Sequence, residues 1–86
     1  MNYRIKEPIK VLTLFDRNPT TATPVKISWH NKTYDILKIG FHHKEKRGRT
    51  LFHIFSVTTD SLFFRIVLDT EHLEWEVEEI SDGTTN

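Results

Sequence analysis

The chain has 86 residues, with twelve Lys/Arg balanced by twelve Asp/Glu, five His, ten aromatic residues and no Cys. That length supports one domain rather than two, and a domain of this size buries only about 60–65% of the surface its unfolded chain exposes. Without Cys there are no disulfide staples, thiolate nucleophiles or Cys-ligated zinc or iron–sulfur centres.

No apolar run exceeds three residues, so neither a signal-peptide core nor a membrane-spanning helix is expected. With Cys absent, the expected setting is the reducing cytoplasm. Charge is unevenly spread. Residues 1–49 carry 11 Lys/Arg and 4 Asp/Glu, whereas residues 50–86 carry 1 and 8, giving halves of +7 and −7. Such a split points either to a charged interaction face or to strands of opposite sign lying side by side.

Glu7-Pro8 opens the first expected strand, Ile9 to Phe15, since Pro is tolerated where a strand begins. Asp16 to Pro24 reads as a polar loop with two prolines. Val25-Lys26-Ile27-Ser28-Trp29 alternates as a second strand, with Val25, Ile27 and Trp29 on one face. His30-Asn31-Lys32-Thr33 fits a two-residue hairpin connection with positive φ at its centre, which Asn tolerates best after Gly. Thr33 to Ile39 is the third strand. Its period slips at Ile36-Leu37, which predicts a bulge or bend near Lys38 to Gly40. His42 to Arg49 reads as a polar, basic hairpin loop.

Leu51 to Thr58 is apolar on both faces for part of its length and is expected to be central. Thr59-Asp60-Ser61 turns into a fifth strand with Leu62, Phe64, Ile66 and Leu68 on one apolar face. Asp69 to His72 forms the last turn, with Asp69 capping backbone amides. The sixth strand sets Trp75 and Val77 against Glu74, Glu76 and Glu78. If it pairs with the first strand, those glutamates come near Lys6 and Lys10. No segment carries a sustained 3.6-residue period, so no long helix is expected. The predicted fold is all-β: a small antiparallel meander of about six strands over residues 1–80, forming an SH3-like barrel or open roll. Residues 81–86 are expected to be a disordered tail.

Pro24-Val25-Lys26-Ile27-Ser28-Trp29-His30-Asn31-Lys32-Thr33-Tyr34 resembles the P-x-x-F/I-x-W-R-G-R-x-Y hairpin of a small uncharacterised bacterial β-domain family. Members occur alone or beside error-prone DNA polymerases of the Y family. Tyr3 to Val11 is similar to that family's Y-x-E-P-I-x-V opening. Phe63 to Asp69 with Trp75-Glu76-Val77 is similar to its closing Y-E-L-x-x-D…W-x-L. This chain departs from the pattern in having Asn31 at the turn glycine, His30 and Lys32 at the flanking arginines, and His42-His43 near a frequent Trp. The resemblance implies a β domain without assigned activity, and a DNA-repair polymerase-associated protein as one class of partner.

Catalytic signatures are lacking. Ser28, Ser56 and Ser61 have no nucleophile-elbow context, and three glycines supply no phosphate loop. His42 or His43 meeting His53 across two strands would still need a further ligand, such as Glu45 or Asp35, to hold zinc, so neither a metal nor a cofactor is expected. The expectation is a non-enzymatic binding or adaptor module. Its candidate nucleic-acid residues are Lys44, Lys46, Arg47 and Arg49, flanked by Phe41 and Phe52, with Arg17, Lys32 and Lys38 contributing if they share that side. The alternative is a protein-interaction module using the acidic last strand or a strand edge. A solvated charged hairpin would look the same in sequence.

Overall fold

The computed structural model describes residues 2–15 and 22–83. Seven antiparallel strands form one sheet: β1 (Asn2–Phe15), β2 (Ala22–Trp29), β3 (Lys32–Asp35), β4 (Lys38–Arg47), β5 (Thr50–Thr58), β6 (Phe63–Asp69) and β7 (Glu74–Ser81). Their order is β3-β2-β1-β7-β6-β5-β4, and there is no helix among the described residues, so none is long and apolar enough to cross a membrane. The fold is an all-β open roll.

β1 is longer than expected and serves two neighbours in turn. Residues 2–9 pair with β7, and residues 10–15 pair with β2. Pro8 therefore sits inside a strand, opposite Glu76, rather than at its start. It is tolerated because this half of β1 has only β7 beside it, leaving one side of the backbone without a partner. Pro24 likewise lies within β2, opposite Thr13, at a register shift next to Leu12. A bulge is the other place where a sheet accepts proline. Asp16 to Thr21, including Arg17, fall outside the described residues.

The predicted third strand is divided in two, which makes seven strands out of six. β3 pairs with β2. The Ile36 amide then donates to the Val25 carbonyl (2.9 Å), and the next amide, Leu37, donates to the Thr58 carbonyl of β5 (2.8 Å). One chain segment thus leaves one edge of the sheet and becomes the other edge. The slip read at Ile36-Leu37 marks this handover, and a second register shift follows between Ile39 and Phe41, at Gly40.

Curling brings Ile27 and Tyr34 over Phe55, Val57, Phe64, Ile66 and Val77, and these seven form the core. Tyr34 meets Phe64 edge-on with centroids 5.0 Å apart, and Trp29 does the same at 5.9 Å. Such aromatic pairs add about 0.5–1.5 kcal/mol each beyond the area they bury. β5 is interior, with β4 on one side and β6 on the other, but it lies one strand in from the edge rather than at the centre of the sheet. β7 runs to Ser81, which pairs with Asn2 and Phe63. Residues 84–86 lie outside those described.

Candidate functional site: the β4–β5 hairpin and its two faces

The basic segment His42 to Arg49 is mostly strand, not loop. β4 continues to Arg47, and only Gly48-Arg49 turn the chain into β5. Gly48 has φ 65°, the left-handed value that a two-residue turn wants at its first central position. An outermost strand that runs past the core is wet on both faces. It has no apolar alternation to betray it, so its sequence imitates a loop.

Strand geometry decides which side chains share a face. Register pairs Lys44 with His53 and Lys46 with Leu51, while Glu45 pairs with Phe52 and His43 with Ile54. Lys44 and Lys46 therefore lie on the inner face with His42, and Glu45 and Arg47 lie on the outer face with Phe52. Of the six predicted contact residues, the structure brings Arg47 and Phe52 together: the guanidinium lies 5.1 Å from the ring centroid. Lys44 and Lys46 are on the opposite face, Arg49 is in the turn, and Phe41 is 57% exposed beside His43.

Arg47 is also committed electrostatically. Its Nη2 lies 2.9 Å from Glu78 on β7, and its Nε donates to Glu45 at 3.3 Å. Lys44, Lys46 and Arg49 are exposed, and among the described residues no carboxylate lies within 4 Å of any of them. The hairpin tip keeps three uncompensated cations.

Below them on the inner face, His42 Nε2 lies 2.9 Å from His53 Nδ1, and the His42 ring stacks on Phe55 at 4.1 Å. Burial lowers both pKa values from 6.5. Lys44 and His43 push His42 further down, and His42 and Lys44 do the same to His53. Glu45 and Asp35 do not complete a ligand set with this pair: Glu45 faces Arg47 and His43, and Asp35 pairs with Lys26. No group of three His, Asp or Glu side chains converges among the described residues.

On the outer face a cleft of about 800 Å³ opens between β1 and β4, lined by Lys6, Pro8, Arg47, Phe52, Val67 and the carboxylates Asp69, Glu74, Glu76 and Glu78. Asp69 is the cap its position predicted. Its Oδ1 accepts from the amides of Glu71 (2.9 Å) and His72 (3.2 Å), and its Oδ2 meets His72 Nδ1 at 2.9 Å. The hydrogen bond to His72 lowers the Asp69 pKa and raises that of His72. β7 does pair with β1, but a register shift between Arg4 and Glu7 sets Glu76 opposite Pro8 and Glu79 opposite Arg4, rather than setting glutamates opposite Lys6 and Lys10.

Comparison with family models, with curated proteins and with solved structures finds no match. The resemblance to the β-domain family rests on its motif residues alone.

Those motif residues have clear structural work. Trp29 Nε1 donates to Glu7 (2.9 Å), His30 Nε2 lies 3.3 Å from the same carboxylate, and the His30 ring stacks on Trp29 at 4.1 Å. The Trp29 hydrogen bond, then His30, holds the Glu7 pKa below its usual value. Glu7 of the opening motif thus clamps the β2–β3 hairpin onto β1. Sequence reading missed this contact and the outer cleft, because both depend on which rows the bulges bring into line.

Proposed function

We propose that this domain is a non-enzymatic binding module whose β4–β5 hairpin tip contacts nucleic acid weakly through Lys44, Lys46 and Arg49. One observation carries the reading: these three cations are exposed at one end of the fold with no carboxylate partner among the described residues. Polyanion binding draws on unpaired Lys and Arg, and each phosphate contact releases counterions. Phe41, though more than half exposed, is on the outer face beside His43, away from Lys44 and Lys46, and is left out of the contact set. Arg47 and Phe52 are left out of the contact set, since each already has a partner. The resemblance to a polymerase-associated family agrees with such a ligand without establishing it.

An amide NMR titration with short single-stranded DNA and RNA, and with duplexes, tests the reading. Shifts should centre on Lys44 to Thr50. Three phosphate contacts to a single strand give a log–log salt slope of about −2, or about a 20-fold loss between 50 and 200 mM salt. Lys44→Ala with Lys46→Ala should abolish most of the shift. A silent titration at low salt would overturn the proposal.

A second reading has its own observation. β4 has β5 on one side only, so Lys38 to Arg47 offers an edge to which a partner strand can add. β7 has no such edge, lying between β1 and β6. A protein partner of this kind would slow amide exchange along β4 and would tolerate the two lysine substitutions.

A further inference from the structure

We propose that this chain associates head-to-tail with a second copy of itself, the Lys44–Lys46–Arg49 tip of one copy seating on the outer-face cleft of the next. The argument begins with the faces. Lys44 and Lys46 are inner-face residues, whereas Glu74 and Glu76 are outer-face residues opposite Asp69 and Val67. Within one molecule the two sets are on opposite sides of the sheet and cannot neutralise each other. The cleft's other carboxylates are already engaged: Asp69 with His72, and Glu78 with Arg47 and Arg65. Glu74 and Glu76 have no cation within 4 Å among the described residues, and Glu76 Oε1 is closed off from solvent without a hydrogen-bond donor.

The cleft is also shaped and coated for a cation-bearing hairpin. Its volume is about 800 Å³, Phe52, Val67 and Pro8 contribute apolar surface, and Leu73 stands 71% exposed at its margin. Arg47 provides the precedent within the chain, since it lies over Phe52 and pairs with Glu78 from the same hairpin. Lys44 and Lys46 lie on the inner face and Glu74 and Glu76 on the outer, so a tip seated in a neighbour's cleft leaves that neighbour's own tip on its far face, and the contact is heterologous and propagates into short chains rather than closing as a twofold dimer. Exposed ion pairs are individually weak, so the association is weak and salt-sensitive.

Sedimentation velocity on the full chain, at about 20 mM and about 300 mM salt, reads the association directly. At low salt the average sedimentation coefficient should rise with protein concentration past the dimer value. At high salt the association constant should fall about tenfold or more. A cleft variant (Glu74→Gln with Glu76→Gln) and a tip variant (Lys44→Gln, Lys46→Gln and Arg49→Gln) should each remain monomeric. Mixed together, they should form a heterodimer and nothing larger, because only one intact tip and one intact cleft remain.

Should either variant fold poorly, dilution of the unaltered protein at low salt gives a second readout, with amide shifts at both Lys44 to Thr50 and Glu74 to Glu76. A monomer at every concentration, a saturating twofold dimer, or association that survives both variants would each overturn the proposal. The nucleic-acid reading is separable: the cleft variant keeps the tip that would bind nucleic acid, and a silent nucleic-acid titration leaves the sedimentation result unaffected.

Discussion

His42 Nε2 and His53 Nδ1 lie 2.9 Å apart, and His53 is only 7% exposed. Such a pair needs one ring to donate and the other to accept, so it is satisfied only while at least one ring is neutral. The surroundings oppose charging: Phe55 and Leu68 are apolar, and Lys44 and His43 are the nearby cationic or titratable groups.

The pH dependence follows from that arrangement. Both folded pKa values are below 6.5, so the unfolded chain binds more protons than the folded one as pH falls through 6.5. Stability from this pair is full above that value and declines below it. His72 works in the opposite direction. Its raised pKa gives stability that is present below 6.5 and lost as pH rises through the folded value. Thermal melts from about pH 8 to pH 5 should show a falling midpoint on the acid side, and His42→Phe should flatten that fall. Side-chain NMR should find His42 and His53 titrating below His72; the reverse order would refute the assignment.

Removing the ring of Phe64 should be among the most damaging core changes. It is 2% exposed and touches both Tyr34 and Trp29, which belong to the other half of the roll. Phe64→Ala should cost about 3–5 kcal/mol in urea unfolding. In a domain this small, that is a large share of the total of about 5–15 kcal/mol.

The β2–β3 turn tests backbone handedness. His30 and Asn31 have φ of 51° and 60°, so both occupy the left-handed region. Asn31→Gly should fold at least as stably. Asn31→Val should lose about 1–2 kcal/mol, because a β-branched side chain clashes there. Equal midpoints for the two variants in chemical unfolding would exclude a positive-φ turn.

Arg47 contributes by lying across Phe52 as well as by its charge. The side chain is 39% exposed, so solvent screens its pairing with Glu78. Arg47→Ala should cost about 1 kcal/mol, the sum of a weak ion pair and a cation–π contact. Arg47→Met should recover part of that loss, and the remainder should shrink in high salt. A loss for Met as large as for Ala would mean that charge alone matters.

Much of the fold was legible because its signals were local. The alternation of Val25, Ile27 and Trp29, the two-sided apolar run around Ile54-Phe55, and the slip at Ile36-Leu37 each reflect pleat and burial at one place in the chain. The basic strand was not legible. His42 still stacks on core Phe55, but Lys44 to Arg47 run past the core, where water on both sides removes the period that marks a strand. The face assignment was hidden for a related reason. Loop residues can gather on one side, but strand residues must alternate, so Lys44 and Lys46 part from Arg47 once the segment is extended. Glu7 contacting Trp29 and Arg47 reaching Glu78 join residues 22 and 31 positions apart, and no local pattern encodes either.

The last strand in sequence lies in the middle of the sheet, between β1 and β6. Until β7 is present the sheet is two pieces without a shared ladder, the β1–β2–β3 hairpins and the β4–β5–β6 meander, connected along the chain through Ile36-Leu37. Neither can bury the shared core until β7 arrives to stitch them. Folding of the domain then waits on its last strand, is slow for a domain of this length, and is blocked by any truncation that removes Glu74 to Ser81.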